Sequence, residues 1–211
     1  MDRAGSTAQA SSPTTVLIGV LVVVFLFQEL LGVFGVSFAF ALAWPLSENP
    51  WTLVTSVFVH RRIMHLVPNA LFLFVIGIIL ERRTEPWRFY AFFVVVGVIA
   101  GVMEVMVAQV LGGPVAVLGA SGAVFGLLGY ILSGNPITDA VADRISVDPR
   151  VAILVMIGVA LAITWLTRGR QVALVAHFTG LVLGLLAGRA HVLRAEQSTR
   201  SPPRGGRRGQ F

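Results

Sequence analysis

The longest apolar stretch of the chain reads WRFYAFFVVVGVIAGVMEVMVAQVL and runs from Trp87 to Leu111. After Arg88, close to its start, the one charged residue within it is Glu104. About 20 apolar residues are enough for a helix to cross the hydrocarbon layer of a bilayer. This stretch therefore predicts a transmembrane helix, and it is the central element from which the rest of the fold can be worked out.

Five further apolar stretches flank this one, and we expect each of them to span the membrane. They run from about Thr15 to Val33, Met64 to Leu80, Val117 to Leu132, Val151 to Leu166 and Gln171 to Arg189. Between the first two, the prolines of segment 34–51 favour a loop at the membrane surface over another span. The predicted fold is an all-α, polytopic bundle of six transmembrane helices over residues 14–190, with disordered segments 1–13 and 191–211.

The composition of the whole chain agrees with a membrane protein. Of its 211 residues, 56% are hydrophobic and only 12% are charged, whereas soluble domains carry about 25% charged residues. This deficit excludes an ordinary soluble enzyme. The absence of cysteine excludes disulfides, thiolate metal sites and cysteine nucleophiles.

The arginines indicate which side of the membrane each loop occupies. If the N-terminus lies on the side where spans two, four and six end, that side collects twelve arginines and the other side four. The positive-inside rule then places both termini in the cytoplasm, and we expect a multi-pass protein of a bacterial plasma membrane. The arginine-rich tail is interpreted as a topology signal that contacts anionic lipids, and no nucleic-acid partner is expected.

Four of the polar residues inside the predicted spans are candidate site residues, because polar groups there are costly and often functional. His65 and Asn69 are four residues apart and share a helix face. Ser121 begins the fourth span, and His177 lies six residues into the sixth. With both termini inside, all four fall in the outer third of the bilayer. Packing needs alone do not account for this convergence, although a serine in a span often only bonds its own backbone.

These four residues predict nucleophilic acyl transfer. The hydroxyl of Ser121 becomes a nucleophile once a base removes its proton, and His177 is the candidate base. His65, Asn69 and the backbone N–H of Ser121 would form an oxyanion hole, in which one donor is worth roughly 3–4 kcal/mol in comparable sites. No Asp or Glu is placed to orient His177, so the pair would act as a dyad near the outer face.

Other site chemistries fit the sequence less well. A helix that binds zinc places two ligands at i and i+4, whereas His60 and His65 are five residues apart. The sequence therefore predicts neither a metal nor another cofactor. Glu104 would either take part in a proton relay or be an internally bonded carboxyl group that faces another helix. A small transporter that uses Glu104 and the histidines is the remaining alternative from the residues alone.

The chain resembles the rhomboid family of intramembrane serine proteases from about Trp51 to Gly188. Three motifs carry the resemblance: His60-x4-His65-x3-Asn69, Gly119-Ala120-Ser121-Gly122 with Phe125 following, and Ala176-His177-x2-Gly180-x3-Gly184.

The resemblance implies that Ser121 is the nucleophile and His177 the general base, with the oxyanion held by His65, Asn69 and the backbone of Ser121. Phe125 would pack against the catalytic histidine, Glu81 would be a structural glutamate, and His60, Gly119 and Gly180 would support the site. The implied substrates are single-span membrane proteins. The alternative is a non-proteolytic rhomboid-like scaffold or chaperone, and the sequence does not predict the oligomeric state.

Three positions depart from the family pattern. Thr52 follows Trp51 where many members carry arginine, and Glu85 replaces a glycine. Pro68 precedes Asn69, removes a backbone donor and gives the helix a place to kink. A kink there would shift Asn69 and weaken its oxyanion role.

Overall fold

Seven α-helices make up most of the described chain, which in this computed structural model comprises residues 12–35, 40–113, 116–135, 148–166 and 173–194. They are α1 (Pro13–Val33), α2 (Thr52–Phe58), α3 (Ile63–Glu81), α4 (Pro86–Val110), α5 (Ser121–Ser133), α6 (Pro149–Leu166) and α7 (Leu174–Arg189). Within these ranges there is no β-strand, only an isolated bridge between Leu42 and Val117. The all-α class is confirmed.

Three of the helices, α1, α3 and α4, are long and apolar enough to cross a membrane. The helices α5, α6 and α7 are apolar but shorter, so the count of six spans stays a prediction. The short helix α2 lies in the connection between the first two predicted spans and was not predicted. Most of segments 1–13 and 191–211 falls outside the described residues.

Two predicted span boundaries were wrong. The fourth apolar stretch was expected to be helical from Val117, but α5 begins at Ser121 because Val117 is paired with Leu42 and Gly119 has a positive φ of 118°. The helix of the sixth predicted span, α7, begins at Leu174, so His177 lies three residues after its first residue rather than six. Ser121 and His177 are therefore both in the first turn of their helices or just beyond it.

A carboxylate fixes the start of α1 against the end of α3. Ser12 is the N-cap of α1, and its side chain accepts a hydrogen bond from the backbone N–H of Thr15. Glu81 Oε2 in turn accepts from Ser12 Oγ at 2.7 Å and from the Thr14 backbone N–H at 2.9 Å. The free N–H groups of a helix N-terminus favour such an acceptor, so α1 and α3 are joined at this end.

The backbones of α5 and α7 are in direct contact through glycine. A Cβ added to Gly180 would meet the carbonyl oxygen of Gly122, and one added to Gly184 would meet that of Gly126. Ser133 Oγ also donates to the Leu185 carbonyl oxygen at 2.6 Å. The four-residue glycine spacing that lets helices approach in membranes therefore brings the helix of Ser121 against the helix of His177.

The largest apolar core lies where α1, α3, α4 and α5 meet. Its fully buried side chains include Leu21, Leu73, Phe89, Phe93 and Leu127. Large apolar side chains also point outwards from these helices, as expected where a helix faces lipid. The core holds α5 between α3, α4 and α7, and so fixes the helix that begins at Ser121.

Candidate active site

Ser121 is the first residue of α5, and the strand-like segment before it is anchored to the first loop of the protein. Leu42 and Val117 exchange two backbone hydrogen bonds, each 2.8 Å long. The Gly119 N–H donates to the Ser56 carbonyl oxygen at 2.8 Å. These bonds fix the backbone that leads into Ser121, although their partners are far apart in the sequence.

His60 connects the first loop to the backbone before Ser121 through hydrogen bonds. Its ring is fully buried; Nε2 accepts from the Ala120 N–H at 3.4 Å, and Nδ1 lies 3.2 Å from the Phe58 carbonyl oxygen. The Gln28 side chain bonds both the N–H and the carbonyl of His60 at 3.1 and 2.9 Å. His60 lies in the loop before α3, as the spacing predicted, whereas no sequence motif pointed to Gln28.

The environment of His60 favours its neutral form. Burial, with a smaller contribution from the nearby His65, lowers the pKa of His60 to about 4. A neutral ring with the proton on Nδ1 can donate to Phe58 and accept from Ala120 at the same time. Protonation of Nε2 would remove the acceptor that holds the Ala120 N–H.

His177 stacks on Phe125, which lies one turn after Ser121 in α5. The two ring centroids are 4.1 Å apart and the ring planes differ by 15°. His177 is 8% exposed, and its Nδ1 has no hydrogen-bond partner among the residues described. The contact expected between Phe125 and this histidine is present, and it fixes the plane of the imidazole beside the start of α5.

His65 and Asn69 face the same site from the first two turns of α3. Asn69 is buried, and its Nδ2 donates to the His65 carbonyl oxygen at 2.8 Å. The His65 ring lies edge-on to that of His60, with centroids 5.1 Å apart. A Cβ on Gly119 would come within 2.7 Å of His65 Cε1, so glycine is required there both by its φ and by this close approach.

A single cavity of about 300 Å³ brings together the residues that the sequence selected. Apolar side chains of α3, α5 and α6 form much of its wall, and its polar lining comes from α3, α5 and α7. The predicted site residues that line it are His65, Asn69, Ser121, Phe125 and His177.

The other predicted residues lie outside this cavity. Gly180 packs against the α5 backbone, and Gly119 and His60 act on the loop before Ser121. Glu104 Oε2 accepts a hydrogen bond from the Ala176 N–H at 2.8 Å, which confirms the expectation of an internally bonded carboxyl that faces another helix.

The structure shows the position of each of the three residues that depart from the family pattern. Thr52 is the buried first residue of α2, and its hydroxyl donates to the Asn49 carbonyl oxygen at 2.6 Å. Glu85 immediately precedes α4. Helix α3 continues through Pro68 to Glu81, and Asn69 still lines the cavity beside His65.

Comparison with known proteins gives consistent matches. Residues 47–194 match the rhomboid domain family. A protein from Haemophilus influenzae named Rhomboid protease GlpG is 25% identical over 185 residues, which cover 86% of this chain and 91% of that protein. Proteins of the same name from Salmonella paratyphi A and Salmonella typhi are each 28% identical over 203 residues, covering 90% of this chain and 67% of their own.

Proposed function

Since the chain belongs to the rhomboid family of intramembrane serine proteases, we propose that it hydrolyses peptide bonds in or near the transmembrane segments of single-span membrane proteins. Ser121 and His177 would act as a catalytic dyad without a cofactor. The observation that carries this proposal is the cavity that both residues line, together with His65 and Asn69.

In the acylation step, Ser121 Oγ attacks the carbonyl carbon of the scissile bond while His177 takes the hydroxyl proton. The Oγ–C bond forms, the C–N bond breaks, and His177 returns the proton to the leaving amine. A water molecule then hydrolyses the acyl-enzyme by the same route. Among the described residues Nδ1 of His177 has no hydrogen-bond partner, which supports a dyad rather than a triad. Stacking on Phe125 supplies the ring orientation that an acid provides elsewhere.

Three donors are available for the oxyanion of the tetrahedral intermediate. The N–H of Ser121 is at the N-terminus of α5, where backbone donors lack intrahelical partners. Asn69 gives one amide hydrogen to the His65 carbonyl, and its second amide hydrogen remains for the oxyanion because the NH2 group has two. The His65 ring would be the third donor.

The apolar wall of the cavity supports a hydrophobic peptide segment as the substrate. Phe72 and Ile76 of α3 and Ile163 of α6 line it together with the polar residues. An intact helix uses its carbonyl groups in its own hydrogen bonds. The cleaved segment would therefore have to unwind locally, which favours substrates with a small residue and a weak helix at the cut.

The test is cleavage of a model single-span substrate by the purified protein in liposomes. Ser121→Ala should reduce the cleavage rate at least about a thousandfold without changing the melting temperature. Ser47→Ala is the matched control, since Ser47 is an exposed serine of the first loop. A serine-directed fluorophosphonate should label the wild type and not Ser121→Ala.

Two outcomes would contradict the proposal. Undiminished cleavage by Ser121→Ala would exclude Ser121 as the nucleophile. A folded wild type that neither cleaves nor reacts with the probe would instead support a non-proteolytic scaffold.

A further inference from the structure

We propose that Glu104 is a positioning residue for His177, because its carboxyl group on α4 caps the first turn of α7. The proposal rests on the function proposed above. The direct observation is the 2.8 Å hydrogen bond from the Ala176 N–H to Glu104 Oε2. These two residues are 72 positions apart in the sequence and belong to different helices.

Helix α7 lacks a cap of its own. Its N-cap, Ala173, offers no side-chain hydrogen bond, and its first turn contains no acidic residue. The first N–H groups of a helix have no intrahelical partner, and the positive end of the helix dipole attracts a carboxylate. The carboxyl group of Glu104 on α4 supplies the capping acceptor that the sequence of α7 lacks.

The capped turn is the one that carries His177. Ala176 directly precedes His177, whose own N–H donates to the Ala173 carbonyl oxygen at 3.0 Å. If the first turn of α7 frays, this bond opens and the imidazole is no longer held at one height beside α5. Phe125 fixes the plane of the ring, and the Glu104 cap fixes the backbone from which the ring extends.

The segment of α4 just before Glu104 lies near Ser121 as well. Gly101, one turn before Glu104 on α4, lines a space of about 10 Å³ together with Ser121, Gly122, Ala173 and Ala176. The helix that carries Glu104 thus meets the first turns of α5 and α7 at one junction. A carboxyl group inside a membrane helix is costly without a partner, and the N-terminus of α7 is that partner.

The test compares two substitutions at Glu104. Glu104→Leu removes the acceptor at similar size, and Glu104→Gln keeps an acceptor oxygen. For Glu104→Leu we expect kcat to fall about tenfold to a hundredfold, the loss typical of a misplaced catalytic group, with KM within about twofold. Glu104→Gln should recover most of kcat, and the fluorophosphonate labelling rate of Ser121 should follow the same order.

Glu81→Leu is the matched control, because Glu81 caps α1 and does not line the cavity. We expect it to lower the melting temperature without changing kcat of the folded protein. Hydrogen exchange of residues 176–178 measures the effect of the cap directly, and these amides should lose protection in Glu104→Leu only.

The outcomes separate the two proposals. Unchanged kcat and unchanged protection in Glu104→Leu would overturn the positioning role while leaving the protease assignment intact. Equal kcat losses in Glu81→Leu and Glu104→Leu would also overturn it, since stability alone would then explain them. If Ser121→Ala cleaves normally, the proposed dyad fails because Ser121 is not the nucleophile, and the exchange data alone decide whether Glu104 caps α7.

Discussion

At the scale of single residues, His60 shows how one side chain can support a site without taking part in its chemistry. Its ring accepts from the backbone N–H of Ala120, the residue before Ser121, and the His60 backbone is held in turn by Gln28 of α1. The ring can make both of its hydrogen bonds only when it is neutral. The position of Ser121 is therefore linked to the protonation of a histidine that does not line the cavity.

This link predicts acid sensitivity. Because the pKa of His60 is about 4 in the folded protein and about 6.5 when unfolded, the unfolded chain binds more protons between these values. The stability from the neutral ring is complete above pH 6.5 and is lost as the pH falls towards 4. The difference between the two pKa values corresponds to about 3 kcal/mol in the free energy of unfolding.

The measurement is the melting temperature in detergent across this pH range, for the wild type and for His60→Gln. Glutamine keeps an acceptor but does not titrate, so we expect a smaller fall in the variant. Parallel curves for the two proteins would show that other groups cause the acid sensitivity.

At the scale of helices, the contact between α5 and α7 depends on the absence of side chains. Gly122, Gly126, Gly180 and Gly184 bring the two backbones together, and α5 carries Ser121 while α7 carries His177. The distance between the proposed nucleophile and the proposed base is thus set by helix packing rather than by a loop.

Substitution of one of these glycines should separate the helices. In Gly184→Ala the new Cβ would overlap the Gly126 carbonyl oxygen, and such overpacking costs about 1–3 kcal/mol or more. Gly158→Ala in α6 is the matched control, because its Cβ would meet nothing within 4 Å. We expect a lower melting temperature and lost cleavage for Gly184→Ala only.

A Gly184→Ala protein with wild-type stability and activity would contradict the packing account. A loss in both variants would point to a general intolerance of alanine in these helices.

At the scale of the whole molecule, the arginine distribution predicts that both termini are cytoplasmic and that the cavity opens towards the outer face. The chain contains no cysteine, so single cysteines can report the side of each segment. In intact cells, Ser47→Cys in the first loop should react with a membrane-impermeant thiol reagent, and Ser201→Cys in the tail should react only after lysis. The reverse pattern would invert the predicted orientation.

Hydropathy and motif spacing were enough to predict the membrane class, the all-α fold and the polar residues that line the cavity. Hydropathy and short motifs are properties of neighbouring residues, so the apolar stretches, Ser121, His177, His65 and Asn69 can be found without a structure. The start of α5 was misplaced because the pairing of Val117 with Leu42 is not visible in a hydropathy pattern.

The hydrogen bonds that position these residues could be seen only in the tertiary structure. The bonds from Gln28 to His60, from Ala120 to His60 and from Ala176 to Glu104 join residues 32, 60 and 72 positions apart. A polar residue in the sequence shows that it needs a partner, because an unpaired polar group in a span is costly. Which partner it meets depends on how the helices pack, and that packing places Glu104 at the first turn of α7.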